Sequence, residues 1–258
     1  LVSARWNCII VKAYRLLRLY MCTEMIKLRN IFPTTKAHSG TVIFLHGSGD
    51  TGSNLAEWVR FILGHDMDFE HIKIIYPTAP VQPYTPLSGQ LSNVWFDRRA
   101  ISIKALENRE SLSLMYKKIN DLIQNEVDLG VLPNRIIIGG FSMGGALALH
   151  TGYHLNCDLA GIFACSSFLN RDSIIYETLG QKIVAENNVP ELRMYHGAKD
   201  KLVPLDWGKE TFEKLTKLGV NGQFITLDNA LHELKKQQIL DIKDWILKKL
   251  PDEIQNRL

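Results

Sequence analysis

Between Arg135 and His150 the chain passes from an apolar run, Ile136-Ile137-Ile138, through Gly139-Gly140-Phe141-Ser142-Met143-Gly144-Gly145, into Ala146-Leu147-Ala148-Leu149-His150. The first part reads as a buried strand and the last as a helix. The two are joined by a serine with glycine two residues to either side, the G-x-S-x-G pattern. A serine on so tight a turn projects its oxygen clear of the backbone. A side chain at either flanking glycine would run into neighbouring chain. The helix that follows aims the free N–H groups of its first turn towards that oxygen. Glycine and serine are common residues, so an ordinary strand-to-helix turn shares the pattern. What sets this one apart is its placement after an isoleucine strand and before a helix.

The rest of the chain repeats the alternation. Thr41 to His46 reads as a buried strand and Ser53 to Leu63 as a helix, with Leu55, Trp58, Val59 and Ile62 on one face. Ile72 to Tyr76 is a strand ended by Pro77. Residues 77–93 hold Pro77, Pro80, Pro83, Pro86 and Gly89 and read as a long irregular loop, the kind that serves as a lid or binding segment. Leu112, Met115, Tyr116, Ile119, Leu122, Ile123 and Val127 give a helical stripe. Further strands are expected at Leu159 to Ala164, Leu192 to Tyr195 and Gln223 to Leu227, and further helices at Asp206 to Leu218 and Glu233 to Leu250. Strand and helix alternate without a shift of composition, which predicts an α/β fold: a mostly parallel sheet with helices on both faces.

The net charge of +3 is uneven. Residues 1–20 carry Arg5, Lys12, Arg15 and Arg18 and no acid, leaving 26 basic and 27 acidic residues in the remainder. The body of the chain therefore has no nucleic-acid footprint. Residues 1–25 read as an N-terminal extension and 26–258 as one domain. The extension is either a basic targeting peptide or sequence preceding a start at Met21, and we favour the second. A start at Met21 puts Cys22 at the N-terminus, where S-acylation is chemically available. No apolar run reaches the roughly 20 residues of a membrane span. Cys8, Cys22, Cys157 and Cys165 form no C-x-x-C pair, which argues against a disulfide framework or zinc site and fits a reducing, cytoplasmic setting.

A serine hydroxyl is a poor nucleophile until a base takes its proton, and a histidine base needs a carboxylate to hold its tautomer. After Ser142 the order to look for is Asp or Glu and then His, each beyond a strand end. Asp200 follows the strand ending at Tyr195, and His232 follows the strand ending at Leu227. We assign Ser142 as nucleophile, His232 as base and then acid, and Asp200 as orienter. Asp206 and Asp228 are the rivals to Asp200. His46 and His196 read as structural, and His150 and His154 lack a third ligand for a metal. Two backbone N–H groups must receive the oxyanion. One is assigned to Met143, directly after the nucleophile, and the other to Ser48 in the early loop His46-Gly47-Ser48-Gly49-Asp50.

That loop feeds a rival of another class. Gly47-Ser48-Gly49-Asp50-Thr51-Gly52 fits G-x-G-x-x-G, as in dinucleotide-binding domains. The acid expected at the end of the next strand is missing, since that strand ends Ile75-Tyr76-Pro77. A non-catalytic interaction module is a second rival, and the intact Ser142, Asp200 and His232 argue against it.

From Thr41 to Pro251 the chain resembles the acyl-protein thioesterases, α/β-hydrolases related to bacterial carboxylesterases. The resemblance rests on Val42 to Gly52, Tyr76-Pro77-Thr78-Ala79-Pro80, Trp95-Phe96-Asp97, Asn134 to Ser142, His196-Gly197 with Asp200, Val203-Pro204-Leu205, and His232. It implies the same triad and the same oxyanion donors, Ser48 and Met143. It further implies hydrolysis of acyl thioesters or esters, S-depalmitoylation of proteins in particular, with no metal or organic cofactor. The substrates would be S-acylated proteins or small acyl esters, with at most transient contact with a membrane surface. Met143 and Ser48 stand where the main thioesterases carry glutamine and leucine. Together with Asn93-Val94-Trp95-Phe96-Asp97 and His232-Glu233-Leu234, they are similar to the lysophospholipase-like branch, whose acyl pocket is thought to be shallower and to favour short acyl esters. Val81, Tyr84, Leu87 and Leu91 in residues 80–93 are placed to line an acyl groove or to fill it. Trp95 is a further candidate for substrate contact, although an aromatic in that position more often belongs to the core.

Overall fold

A computed structural model describes residues 26–156, 158–186 and 189–252. The N-terminal extension, Met21, Cys22 and the cysteines at 8 and 157 lie outside the described residues. Seven strands form the main sheet: β1 (Lys27–Ile31), β2 (Gly40–Leu45), β3 (Ile72–Thr78), β6 (Ile136–Phe141), β7 (Gly161–Cys165), β8 (Glu191–Gly197) and β9 (Gly222–Leu227). Two more, β4 (Val81–Tyr84) and β5 (Gln90–Asn93), pair with each other as a separate hairpin. The order across the main sheet is β1-β3-β2-β6-β7-β8-β9. Only β1 runs antiparallel, against β3; every other pair is parallel.

The inner parallel strands β2, β6 and β7 are buried at every position because both faces are covered. Ile43, Leu45, Ile136, Ile138, Ile162, Ala164, Leu192 and Met194 face one layer of the core. Their alternates Val42, Phe44, Ile137, Phe163, Cys165 and Tyr195 face the other. The first layer is closed by α2 (Arg109–Asp128), α3 (Met143–His150), α4 (Ile174–Glu186) and α5 (Leu205–Lys217). The second is closed by α1 (Gly52–Leu63) and α6 (Lys236–Lys249). α3 is buried all round, so apolar and small residues occupy every one of its positions but the last, His150.

Chain order matters for the site. From β2 the chain steps outward to β3; from β6 it steps the opposite way, to β7, β8 and β9. β2 and β6 therefore flank the point where the winding reverses, and a crevice opens beyond their carboxyl ends.

β1 and α4 were not expected from the sequence, and three further readings change. Residues 77–93 are not an irregular loop, because Val81–Tyr84 and Gln90–Asn93 pair as a hairpin around a turn with Ser88 and Gly89 at positive φ. Pro77 does not end β3. It lies past the last β2 partner pair, Ile43 with Ile75, so its missing N–H interrupts no bond to that strand. The last helix begins at Lys236 rather than Glu233, with the Gln238 side chain accepting from the Lys235 N–H at 3.1 Å.

Candidate active site

β6 ends at Phe141 and α3 begins at Met143, so Ser142 alone makes the turn. Its backbone sits at φ 53°, ψ −118°, a region that costs a non-glycine residue about 1–3 kcal/mol. The neighbourhood over-determines it. The Ser142 N–H donates to the Cys165 carbonyl at 2.8 Å. The Ser167 hydroxyl lies 2.8 Å from the Ser142 carbonyl oxygen and 2.9 Å from that of Cys165. The flanking glycines answer to space: a Cβ on Gly140 would come within 2.3 Å of the Gly144 carbonyl carbon, and one on Gly144 within 2.3 Å of the Leu45 carbonyl oxygen.

The loops after β8 and β9 supply the other two residues. Asp200 is buried and His232 partly so, and His232 Nδ1 lies 2.7 Å from Asp200 Oδ2. The second carboxylate oxygen accepts the N–H groups of Leu202 at 3.0 Å and Val203 at 2.9 Å. Burial opposes ionisation of Asp200, yet the bonds from His232 and Val203 win and hold its pKa below the ordinary carboxylate range. An ionised Asp200 accepts the Nδ1–H of His232 and leaves the Nε2 lone pair free. The Phe141 ring packs on the imidazole at 4.8 Å between centroids. The rival acids Asp206 and Asp228 are both exposed.

His196 backs this pair. Its Nε2–H donates to the Val203 carbonyl at 2.8 Å and lies 3.6 Å from Asp200 Oδ2. Burial lowers its pKa and keeps it neutral. His46 is likewise neutral, its pKa lowered by burial. It donates from Nδ1 to the Gly47 carbonyl at 2.6 Å and accepts at Nε2 from the Ala79 N–H at 2.9 Å. Both histidines are structural. His150 is spent on Tyr116 at 2.9 Å and Glu107 at 3.1 Å.

The two residues assigned to the oxyanion meet: the Ser48 hydroxyl lies 3.6 Å from the Met143 sulfur. Met143 is the first residue of α3, where N–H groups lack intrahelical acceptors. The β2 loop is held from the hairpin side by the Gly49 N–H on the Asn93 carbonyl at 2.9 Å. It is held from beneath by the Trp95 indole N–H on the His46 carbonyl at 2.8 Å.

Trp95 therefore belongs to the core, which corrects its place among the substrate contacts. It has no exposed surface, and its ring lies against His46 at 4.8 Å. Leu87 and Leu91 are exposed on the hairpin and do not line the cavity at Ser142. Tyr84 does line it. That cavity measures about 160 Å³ and is walled by Ser48, Asp50, Tyr84, Arg98, Ser142 and His232, among others. A larger one, about 550 Å³, opens at the other end of the sheet between Lys36, Phe69, His71 and Lys243. It holds no serine, and its His71 is bonded to the Leu250 carbonyl at 2.8 Å.

Sequence reasoning passed over Arg98, Asn93 and Ser167. Asp97-Arg98 follows the recognised Trp95-Phe96-Asp97 run, so a charge directly after an apolar segment was a signal for Arg98. Asn93 and Ser167 act through backbone contacts, which no local pattern marks.

The profile of the family described as phospholipase/carboxylesterase matches residues 27–250. The chain is 48% identical over 225 residues to lysophospholipase-like protein 1 of Mus musculus, covering 87% of this chain and 93% of that protein. It is 35% identical over 215 residues to acyl-protein thioesterase 1 homolog 2 of Dictyostelium discoideum, covering 83% of this chain and 94% of that protein. Among solved structures, the fold is similar to Zea mays acyl-protein thioesterase 2, with a TM-score of 0.72 and 23% identity over 87% of this chain and 99% of that one. It is also similar to Arabidopsis thaliana SOBER1, with a TM-score of 0.69 and 23% identity over 82% of this chain and 99% of that one.

Proposed function

The chain belongs to the phospholipase/carboxylesterase family, and from that premise we propose that it hydrolyses acyl thioesters and esters through Ser142, His232 and Asp200. The observation that carries the assignment is the 2.7 Å contact of His232 Nδ1 with Asp200 Oδ2, made beside the cavity that His232 and Ser142 line together. In the first step His232 Nε2 takes the hydroxyl proton as Ser142 Oγ attacks the carbonyl carbon. The tetrahedral oxyanion faces the N–H groups of Ser48 and Met143. Loss of one such donor costs about two to three orders of magnitude in rate. His232 then returns the proton to the departing thiol or alcohol. In the second step water, deprotonated by His232, attacks the acyl-enzyme and releases the acid and free Ser142.

S-acylated proteins are the substrates that the acyl-protein thioesterases among its relatives support, and a cytoplasmic setting belongs to the same reading. Among the described residues no helix is long and apolar enough to cross a membrane. A second reading, short acyl esters, draws on the cavity itself. At about 160 Å³ it is smaller than the pockets that take drug-sized ligands, about 300–1,000 Å³. A fluorophosphonate probe tests the reaction class: wild-type protein should be labelled and Ser142→Ala should not. Unlabelled wild-type protein would overturn the assignment. A series of acyl thioesters from two to sixteen carbons separates the two substrate readings. A rate peak at two to four carbons selects the second, and activity retained at sixteen selects the first.

A further inference from the structure

Two residues that line the cavity at Ser142 each carry a buried polar group with no partner among the described residues. Arg98 is 9% exposed, and its Nε is buried without an acceptor among the described residues. The Tyr84 hydroxyl, on a residue 3% exposed, is likewise buried and unpartnered. Both residues line the cavity that holds Ser142 and His232. A buried polar group left unpaired costs about 1–3 kcal/mol, and more when charged. Two such groups, on residues that line one small space, call for an acceptor that arrives with the substrate.

The surroundings fix the guanidinium without neutralising it. The Phe96 ring lies 4.9 Å from its Cζ and the Phe168 ring 5.4 Å, so aromatic faces hold it in place. The adjacent Asp97 is committed to the hairpin, accepting the Thr85 N–H and hydroxyl, each at 2.8 Å. Asp50 also lines the cavity, and its carboxylate accepts the Thr51 N–H at 2.8 Å. Burial lowers the Arg98 pKa against the opposing pull of Tyr84 and Asp97, as befits a cation short of counter-charge.

We infer that Arg98 and Tyr84 form a carboxylate-binding subsite, and that the enzyme selects short acyl esters or thioesters bearing a carboxylate close to the scissile carbonyl. The inference rests on the hydrolase assignment and on its second, short-acyl reading above, and names the substrate class. A carboxylate can accept from the guanidinium and the phenol hydroxyl together, which a neutral alkyl chain cannot. In the small cavity the anion sets the position of the carbonyl relative to Ser142. Hydrolysis is otherwise unchanged: the acyl–oxygen or acyl–sulfur bond breaks, an acyl–Ser142 bond forms, and water later replaces it.

The experiment compares matched ester pairs on the full-length protein by proton release. Monoethyl glutarate against ethyl pentanoate puts the charge on the acyl side. Acetoxyacetate against propyl acetate puts it on the leaving group. One charge-assisted contact predicts a kcat/KM preference for the charged member of at least one pair of about ten- to hundred-fold, carried mostly in KM. Arg98→Met should abolish that preference and Tyr84→Phe should reduce it, the readout being the ratio within each variant. Fluorophosphonate labelling of the variants shows that they are folded. Glutarate should inhibit the wild type competitively, a measurement that needs no variant. Wild-type protein that prefers the neutral member of both pairs and ignores glutarate overturns the subsite while leaving the hydrolase intact. Wild-type protein that cleaves neither pair and resists fluorophosphonate overturns the hydrolase reading and this one with it.

Discussion

Two buried cations stand at opposite ends of the sheet, and their surroundings could hardly differ more. Lys73, 8% exposed at the start of β3, puts its ammonium 2.6 Å from Glu126 Oε1. The other oxygen of Glu126 accepts the Thr41 hydroxyl at 2.8 Å, and His38 closes the group at 2.9 Å from that hydroxyl. Arg98, 9% exposed beyond the carboxyl ends of the strands, has aromatic rings where Lys73 has a carboxylate. A buried ion pair contributes little net stability, but breaking one by removing a partner is expensive. Fully bonded buried charge thus belongs to the scaffold. Incompletely bonded charge next to a strained serine belongs to the chemistry.

The contrast can be broken in four places. The largest effect is expected at the rim, in activity alone. Asp200→Asn keeps an oxygen for the Leu202 and Val203 N–H groups but disturbs the His232 tautomer, so kcat should fall about 10⁴-fold with little change in denaturation midpoint. A loss under ten-fold in steady-state kinetics would remove Asp200 from the catalytic group. Next comes the base. Lys73→Met strands Glu126, and urea titration should show a loss of about 3–5 kcal/mol while the folded fraction keeps its kcat. The same change at Arg98 should behave differently. Arg98→Met forfeits ring contacts worth about 0.5–2 kcal/mol but removes a charge that burial penalises, so the midpoint should move little or rise. Comparable losses at both positions would erase the distinction drawn between them.

The smallest effect is in pH. Burial lowers the folded-state pKa of His46, His196 and His38 below the ordinary histidine value of 6.5. Between the folded and unfolded values the unfolded chain binds more protons, so stability is fully present above 6.5 and is lost as pH falls through the lowered values. Asp200 and Glu107, with depressed carboxyl pKa values, add a further loss in stronger acid. Denaturation midpoints should therefore drop from pH 7.5 to 5.5. His196→Gln at the rim should flatten that drop more than His38→Gln at the base, because His196 is the more deeply buried. A midpoint that rises on acidification would contradict all three assignments.

Legibility in the sequence followed burial. β2, β6 and β7 are buried at every position, and β3 and β8 at most of theirs, and each was readable; β9, more exposed, was readable as well. β1 escaped because Lys27-Leu28-Arg29-Asn30-Ile31 is an exposed edge strand with no apolar pattern. α4 escaped because its apolar residues are not gathered on one face and Gly180 interrupts it. The β4–β5 hairpin escaped because prolines and a glycine in sequence signal a loop, while pairing is a property of two segments. At the site, Ser142 was named from its glycine-framed turn, and Asp200 and His232 from the strand ends before them. Arg98 and Tyr84 were not named as a pair, since an orphaned donor is visible only when its neighbours are known.

By itself the sequence determined the alternation of strand and helix, the glycine-framed turn at Ser142, and the strand ends that carry Asp200 and His232. Each is a local matter of periodicity, steric room or position along the chain. Only the tertiary structure decided that Trp95 holds the β2 loop from within the core, which carbonyls His46 and His196 bond and that burial keeps both neutral, and that the cavity at Ser142 is small and lined by an arginine whose Nε has no acceptor among the described residues. Those facts depend on which distant groups meet in the absence of water, because the cost of burying charge and the space left for a ligand are set by all the neighbours at once.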